Sequence, residues 1–360
     1  MPVRRLQVGV AGLGRMGKRH AIIWLQQVHR ADLVAVCSPD AAERQWASEE
    51  LAPHGVAVYE DFADMLAHTG LEAVCIASAT SAHAKQSNMA IRAGKHILCE
   101  KPLSTTVEVL TKFKSQSVLD TAATRPDLKV ICGFSRRSDA SYRAAYEKVQ
   151  QGLIGRPTVM RCQSCDILDP TGQFVSYAAV SGGVFVDSCI HDIDLALWFF
   201  GKEAKIKSVH AVGTAACHPD LRQYNDSDNA IGMMEFHDGR MVSLFASRTM
   251  AAGAEDSTEI IGTKGKLVVN MMPRANHVHV YQAGGVLQEM PQNYWERFQD
   301  AFVAQANRFA ETVLDDKPSW IELESAVEVV KIGVALQESM VTGEKIWFDE
   351  QGQRVNKAQL

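Results

Sequence analysis

The chain has 360 residues, enough for two or three ordinary domains, with 37 basic and 42 acidic side chains. A net charge of −5 argues against a nucleic-acid-binding protein, which usually carries a basic excess. Hydrophobic residues make up 46% of the chain, which argues against disorder, and no apolar run approaches the roughly 20 residues of a membrane helix. We expect no membrane association and a cytoplasmic location, because the apolar stretch after the basic start is short and lacks a signal-peptide cleavage site.

Predicted strands and helices alternate through the first third of the chain. Short apolar runs predict buried strands, and the amphipathic stretches between them predict helices. The predicted strands are Leu6–Ala11, Leu33–Cys37, Val56–Tyr59, Glu72–Ala77, His96–Cys99 and Lys129–Gly133. The predicted helices are Lys18–His29, Ala41–Leu51, Asp61–Ala67, Ala82–Ala93 and Val107–Ala123. This alternation predicts an α/β domain with a doubly wound parallel sheet, which we place at residues 1–134.

The pattern changes near residue 135. Predicted helices lie at Ala140–Gln151, Phe185–Phe200, Trp295–Leu314 and Glu322–Val341. Predicted strands lie at Thr158–Cys165, Ile206–Val212, Ser227–Phe236, Met241–Ser247, Thr258–Ile261, Lys266–Val269 and His277–Tyr281. Consecutive strands without helices between them predict a large, mostly antiparallel sheet in an α+β domain. We place this second domain at residues 135–360 and allow its C-terminal helices to pack back on the first.

A glycine-rich motif directly follows the first predicted strand. In Gly12-Leu13-Gly14-Arg15-Met16-Gly17, glycine permits a tight turn, close approach of a pyrophosphate and close packing of helix on strand. The following helix then presents its N–H groups and positive dipole end to the phosphates. This placement favours dinucleotide binding over an unrelated glycine-rich turn. The predicted cofactor residues here are Gly12, Gly14, Arg15, Met16 and Gly17.

The end of the second strand bears on the choice between NADP and NAD. Ser38 stands where NAD-selective proteins often hold an acid that accepts hydrogen bonds from the ribose. Arg44 follows on the next predicted helix, in reach of a 2′-phosphate, and Asp40 is interpreted as the cap of that helix. The pattern slightly favours NADP over NAD and adds Ser38 and Arg44 to the predicted cofactor residues. The alternative is that Arg44 is a solvated helix residue.

A lysine ends the fifth predicted strand in the motif Glu100-Lys101-Pro102. The carboxyl end of a central strand points into the crevice where doubly wound sheets bind ligands, so Lys101 is a candidate for both cofactor and substrate contact. The alternative is a strand-end lysine paired with Glu100.

Polar side chains interrupt an apolar helical stretch after Gly182-Gly183. Asp187 and His191 are four residues apart and would share one face of the predicted helix. A carboxylate beside an imidazole makes an oriented acid/base pair. The alternative is that Asp187 caps the helix and His191 is a core histidine.

The eight cysteines predict neither a disulfide scaffold nor a metal site. They are spread along the chain, and several lie inside apolar strands, where reduced thiols behave as small hydrophobes. Cys162 and Cys165 have the spacing of a metal pair, but a strand places them on opposite faces and no second pair completes a site. We predict no metal.

Taken together and in this order, the motifs resemble the glucose–fructose oxidoreductase / inositol dehydrogenase / MocA family along nearly the whole chain. Segments like Gly133–Asp139 and Ser181–Phe185 occur in its inositol dehydrogenases. The resemblance implies a Rossmann domain, a second domain whose open sheet forms a homodimer or homotetramer, and reversible hydride transfer between a nicotinamide cofactor and a hydroxyl of a cyclic polyol or sugar.

The resemblance also implies roles for individual residues. His191 would be the general acid/base, Lys101 would polarise the reacting hydroxyl, and Asp187 would bind a neighbouring hydroxyl and orient the site. Arg136 and Asp166 are further candidates for substrate hydroxyls, with surface charge as the alternative.

One segment departs from the inositol dehydrogenase pattern. Where those enzymes tend to place a run like Tyr-Gly-Tyr-Asp-Gln-Arg, this chain has Ala252–Ser257. The missing aromatic groups leave open a dihydrodiol or aldose-type reductase with a more apolar pocket. A non-catalytic NADP-binding sensor is a third hypothesis. The presence of Lys101, Asp187 and His191 argues against it, because a sensor does not need all three.

Overall fold

The computed structural model describes residues 4–104 and 114–357, which form two compact units. One unit contains the chain up to Ser138 together with Asp300–Val330, and the other contains Asp139–Gln299 together with the chain from Lys331. The start of the predicted helix Val107–Ala123 lies outside the described residues.

The first unit contains a six-stranded sheet in the order β3-β2-β1-β4-β5-β6, and each of its neighbouring strands is parallel. Its strands are β1 Leu6–Ala11, β2 Ala31–Cys37, β3 Ala57–Tyr59, β4 Ala73–Ile76, β5 His96–Glu100 and β6 Val130–Gly133. The central strand β4 and the edge strand β6 are buried at every position, as expected when helices cover both faces of a parallel sheet. The order reverses between β1 and β4, so the predicted doubly wound sheet is confirmed and its ligand crevice lies at that switch point.

Among the described residues of this unit, five helices follow the strands of the sheet: α1 Arg15–Gln26, α2 Ala41–Glu50, α3 Phe62–Leu66, α4 Thr80–Arg92 and α5 Lys114–Ala123. Residues 300–330 add parts of α10 Tyr294–Leu314 and α11 Leu323–Thr342 to the unit. The ring of Trp24 on α1 packs edge-on against Phe309 of α10, with 6.2 Å between centroids.

The second unit contains an eight-stranded sheet in the order β12-β11-β7-β10-β9-β8-β15-β16. These strands are β7 Pro157–Ile167, β8 Ile206–Thr214, β9 Asn229–Phe236, β10 Met241–Met250, β11 Glu255–Gly262, β12 Lys266–Val269, β15 Ile346–Phe348 and β16 Arg354–Val355. A hairpin of β13 His279–Gln282 and β14 Gly285–Gln288 forms a separate sheet. The neighbours β7 and β10 are parallel, while the other pairs are antiparallel, so the predicted mostly antiparallel sheet is confirmed.

Four helices open the second unit: α6 Ala140–Gln150, α7 Gln173–Ser181, α8 Val184–Asp187 and α9 Ile190–Phe200. The prediction of one helix over Phe185–Phe200 is wrong, because the chain breaks between α8 and α9. Cys189 N donates to Val184 O at 3.1 Å, and this bond across five residues widens the turn. Asp187 therefore ends one helix and His191 lies in the first turn of the next, so they do not share the face of one helix.

The two faces of the eight-stranded sheet differ. Along β9, the inward residues Ala230 and Met234 are buried, and a Cβ on Gly232 would come within 2.7 Å of the Phe185 ring. On the opposite face the alternate residues Ile231 and Met233 are half exposed. Among the described residues, no helix combines the length and apolar composition needed to cross a membrane.

Candidate functional site

The glycine loop between β1 and α1 has no room for a side chain at Gly12 or Gly17. Gly12 has φ of +84°, and a Cβ there would lie 2.6 Å from the backbone nitrogen of Ser78. A Cβ on Gly17 would collide with the carbonyl oxygen of Gly12, so α1 packs directly on the turn. Gly14 is the N-cap of α1 and provides no capping side chain. This backbone fits a pyrophosphate at the start of α1, with Arg15 and Met16 in its first turn.

The end of β2 is tied to the same loop by hydrogen bonds. Gly12 N donates to the carbonyl of Cys37 at 2.8 Å. Asp40 caps α2 by accepting from Glu43 N at 2.9 Å, which confirms the predicted cap. Ser38 is buried, and its hydroxyl donates to Glu43 Oε2 at 2.5 Å. The hydroxyl also accepts from Asp40 N at 3.2 Å, so Ser38 is engaged in local contacts.

Arg44 binds protein groups at this corner. Its Nη1 donates to the carbonyl of Ser38 at 2.9 Å, and its Nη2 lies 3.1 Å from a carboxylate oxygen of Glu60. The neighbouring carboxylate of Glu43 accepts a hydrogen bond from Leu13 N of the glycine loop at 3.1 Å. The described contacts thus give Arg44 a structural role at the end of β2, so they do not support the predicted slight preference for NADP.

Lys101 follows β5 in the first unit, next to a buried ion pair. Glu100 Oε1 lies 2.7 Å from His20 Nε2, and both side chains are buried. Burial alone would lower the pKa of His20, but Cys75 and Glu100 outweigh it and raise that pKa to about 10. Burial would raise the pKa of Glu100, yet the hydrogen bond and charge of His20 hold it below its usual value. The other oxygen of Glu100 accepts from Lys101 N at 3.2 Å, so the pair fixes the backbone at the lysine.

The residue after Lys101 is also held. Pro102 follows a cis peptide bond, and its carbonyl lies 2.8 Å from His83 Nδ1. The other ring nitrogen of His83 lies 3.0 Å from the carbonyl of Ser78, the residue that touches Gly12. The buried His83 ring therefore connects Ser78, beside the glycine loop, to Pro102, the residue after Lys101.

Asp187 belongs to the second unit, where a buried arginine holds it. Arg248 on β10 lies 3.3 Å from an oxygen of Asp187 and 2.9 Å from an oxygen of Asp226. Burial would lower the pKa of Arg248, but the charges of Asp226 and Asp187 raise it. Asp226 Oδ1 in turn accepts from Val184 N, which begins α8, at 2.8 Å. The cluster fixes both ends of the short helix that carries Asp187.

His191 lies half-buried in the first turn of α9. The next residue, Asp192, is fully buried and accepts a 2.5 Å hydrogen bond from the hydroxyl of Ser164 on β7. This bond attaches the start of α9 to the sheet and so restricts the position of the imidazole. The same strand ends near Asp166, an exposed carboxylate whose charge also raises the pKa of Arg248.

The remaining substrate candidate, Arg136, lies in a short 3₁₀ turn at Ser135–Ser138 in the first unit. Its side chain is buried, so the alternative of a surface charge does not hold for it. That alternative fits Asp166, which is exposed. Within each unit, the structure groups Gly12, Ser38 and Arg44 in one and Asp187 with Asp166 around Arg248 in the other.

Sequence reasoning missed three charged side chains that hold these residues: His20, Glu43 and Arg248. Each meets its partner across a long stretch of chain or a turn that periodicity does not reveal. The signal for His20 and Arg248 is a charged group in an apolar helix or strand, which requires a buried partner. No group of three or more His, Cys, Asp or Glu side chains suited to a metal ion occurs within residues 4–104 and 114–357.

Both halves of the chain match known sequence families. Residues 6–134 match an oxidoreductase family with an NAD-binding Rossmann fold, and residues 142–268 match the GFO/IDH/MocA C-terminal domain. The chain is 32% identical over 348 residues to scyllo-inositol 2-dehydrogenase (NAD(+)) of Bacillus subtilis, covering 96% of this chain and 97% of that protein.

Solved structures resemble the chain over the same length. The scyllo-inositol dehydrogenase of Lactobacillus casei with bound NAD(H) and scyllo-inositol is 36% identical, with a TM-score of 0.89 over 96% of this chain and 99% of that one. The myo-inositol 2-dehydrogenase of Lactobacillus plantarum is 29% identical, also with a TM-score of 0.89, over 96% and 100% of the two chains.

Proposed function

The chain belongs to the Gfo/Idh/MocA family of oxidoreductases, and from this premise we propose that it oxidises a ring hydroxyl of an inositol, scyllo-inositol first among them. Its general activity is NAD(P)-dependent hydride transfer at a secondary hydroxyl of a cyclic polyol or sugar. The observation that carries the proposal is the Asp187 carboxylate, fixed by buried Arg248 four residues before the His191 imidazole. A charged, hydrogen-bonding group of this kind suits a substrate that presents neighbouring hydroxyls.

We assign the chemical roles as the family resemblance implies them. His191 accepts the proton of the reacting hydroxyl, because an imidazole titrates near neutral pH. The Lys101 ammonium stabilises the negative charge that develops on that oxygen. When bound, the nicotinamide ring supplies the hydride acceptor.

Asp187 has a different role in this proposal. Its carboxylate accepts a hydrogen bond from a neighbouring substrate hydroxyl and keeps the imidazole side of the site oriented. Arg248 Nη2 lies 3.3 Å from Asp187 Oδ2 and holds the carboxylate in place. Arg136 and Asp166 are proposed to contact further hydroxyls.

The segment Ala252–Ser257 differs from the pattern of inositol dehydrogenases, and this difference makes a more apolar substrate the second candidate. Ala254 is buried, and its backbone N–H donates to the carbonyl of Pro291 at 2.6 Å. The segment thus offers small side chains where inositol dehydrogenases tend to place aromatic ones. A dihydrodiol would suit such a lining better than an inositol.

A cofactor-reduction screen separates these candidates. We would follow absorbance of the reduced nicotinamide with scyllo-inositol, myo-inositol, hexoses, pentoses, sugar acids and an aromatic trans-dihydrodiol, each with NAD and NADP. Turnover of an inositol supports the proposal. Turnover of the dihydrodiol alone supports the reductase, and cofactor binding without turnover of any compound supports a sensor.

We also propose that the second unit forms a homodimer or homotetramer through the open face of its eight-stranded sheet. On that face Val212 of β8, Ile231 of β9 and Phe245 of β10 are aligned across neighbouring strands. Val212 and Ile231 are 54% and 50% exposed, and a contiguous apolar row of this kind favours burial against a partner. The expected cytoplasmic location stays a prediction.

A further inference from the structure

We propose that Glu43 is the residue that makes this protein select NAD over NADP, acting from helix α2 in place of an acid at the end of β2. The inference rests on the proposed function only in taking the glycine loop to hold a nicotinamide dinucleotide. It concerns the adenosine end of that cofactor, where Ser38 occupies the usual position of the acid.

The first observation is that the Glu43 carboxylate does not make the capping-box hydrogen bond that its sequence position predicts. Asp40 caps α2 and Glu43 stands three residues later, the spacing of a capping box in which the glutamate returns to the backbone N–H of the cap residue. In the structure, Asp40 N donates instead to the hydroxyl of Ser38 at 3.2 Å. Ser38 thereby releases the Glu43 carboxylate from the capping box.

The second observation is where the released carboxylate goes. Glu43 Oε2 accepts from Leu13 N in the glycine loop at 3.1 Å and from the Ser38 hydroxyl at 2.5 Å. Its other oxygen lies 3.5 Å from the position that a Cβ on Gly14 would occupy. The carboxylate therefore lies between the end of β2 and the loop that receives the pyrophosphate, where the adenosine ribose of a Rossmann-bound cofactor sits.

A carboxylate at this place discriminates between the two cofactors. It accepts hydrogen bonds from the 2′- and 3′-hydroxyls of NAD, whereas the 2′-phosphate of NADP brings further negative charge to the same point. The hydroxyl of Ser38 supports this role by donating to Glu43 and leaving the second carboxylate oxygen turned toward Gly14.

The charged groups around the end of β2 also favour NAD over NADP. Arg44, the cation expected to meet a 2′-phosphate, lies 3.1 Å from Glu60 and donates to the Ser38 carbonyl. Burial raises the pKa of the Cys37 thiol at the end of β2 to about 12, and the charge of Asp61 adds to the shift. Four carboxylates therefore accompany the Arg44 cation around this corner: Asp40, Glu43, Glu60 and Asp61.

The test is direct binding of NADH and NADPH, measured as dissociation constants from the fluorescence of the reduced nicotinamide, with no polyol present. We expect the unmodified protein to bind NADH at least about tenfold more tightly than NADPH. Glu43→Gln keeps the size and one acceptor oxygen but removes the charge. It should weaken NADH and strengthen NADPH by about tenfold each, which reverses or removes the preference.

Two further variants separate selectivity from a structural role. Ser38→Asp in the Glu43→Gln background returns a carboxylate to the end of β2 and should restore the NADH preference. Glu50→Gln, an exposed charge change on the same helix, is the matched control and should leave both constants unchanged. Thermal unfolding and circular dichroism establish that each variant is folded.

Three results would overturn the inference: a preference of the unmodified protein for NADPH, a ratio in Glu43→Gln within twofold of the unmodified protein, or a double variant without recovery. Because the assay needs no turnover, a failed inositol screen would refute the proposed substrate and leave these binding results intact.

Discussion

Replacing His20 by phenylalanine tests whether a buried ion pair holds the backbone at Lys101. The change keeps an aromatic ring, which packs edge-on against Phe302 with 5.7 Å between centroids. It removes the nitrogen that meets Glu100 at 2.7 Å and leaves a carboxylate that is only 9% exposed without its cation. Breaking one partner out of a buried pair costs about 3–5 kcal/mol of stability.

Urea unfolding measures this cost. With an m value of about 3 kcal/mol/M, a loss of about 3 kcal/mol lowers the midpoint by about 1 M. The double variant with His20→Phe and Glu100→Leu replaces both charges by apolar groups and should recover most of the stability. It still lacks the acceptor for Lys101 N, so turnover should stay low although the fold is restored.

The contribution of the pair depends on pH in a defined window. The pKa of His20 is raised from 6.5 to about 10, so its share of the stability is complete below pH 6.5 and is lost as the pH rises toward 10. The pKa of Glu100 is lowered from 4.5, so its share is complete above pH 4.5 and is lost as the pH falls through its lower value in the folded protein. The stability difference between unmodified protein and double variant should therefore be greatest between pH 4.5 and 6.5.

Two outcomes would refute this reasoning. If His20→Phe unfolds at the same urea concentration as the unmodified protein, leaving Glu100 without the charge of His20 has no cost. If the double variant regains full turnover with its fold, Glu100 does not position Lys101. A stability difference that grows between pH 6.5 and 10 would contradict the assigned charge of His20.

Three further predictions concern the second unit and the chemical step. His191→Ala and Lys101→Met should each lower kcat/KM on the active polyol by about 10²–10⁴-fold with an unchanged dissociation constant for NADH, and near-normal turnover in both would remove their proposed roles. Arg248→Met should remove the cation beside Asp187 and raise KM. It should also lower the unfolding midpoint by about 1 M, because the buried carboxylate of Asp226 loses the same cation, and a stability loss without a KM change would make Arg248 purely structural. Ile231→Lys on the open sheet face should reduce the native mass measured by light scattering toward that of one chain, while a monomeric unmodified protein would exclude the sheet interface.

The first unit was largely predictable because its signals are local. Each buried parallel strand is a short apolar run, and Gly12 and Gly17 mark the turn that no side chain fits. The Asp40 cap is encoded within four residues of chain. Two contacts in this unit escaped prediction. His20 meets Glu100 across 80 residues, and the Ser38 hydroxyl replaces Glu43 on the cap, an exchange that no spacing rule anticipates.

The second unit was less predictable because its partners are distant in sequence. Arg248 meets Asp187 across 61 residues, and Ser164 meets Asp192 across 28. The sequence of Phe185–Phe200 keeps the 3.6-residue periodicity of one helix. The backbone nevertheless breaks between α8 and α9, where Cys189 N donates to Val184 O. The parallel pairing of β7 with β10 needs a long connection, which a count of successive strands treats as ordinary antiparallel order.

Within each unit, buried charges hold the residues to which the proposed mechanism gives a role. Glu100 with His20 fixes the backbone at Lys101, while Arg248 with Asp226 fixes the carboxylate of Asp187 and the start of its helix. Buried ion pairs add little net stability compared with apolar packing, but an orphaned partner is costly, so each pair strongly restricts the alternatives open to its neighbours. The reacting groups proposed here are thereby placed by partners that need not touch the substrate. Variants of those partners should lower turnover because they displace the reacting groups. Replacing both members of a pair by apolar residues should restore folding but not turnover.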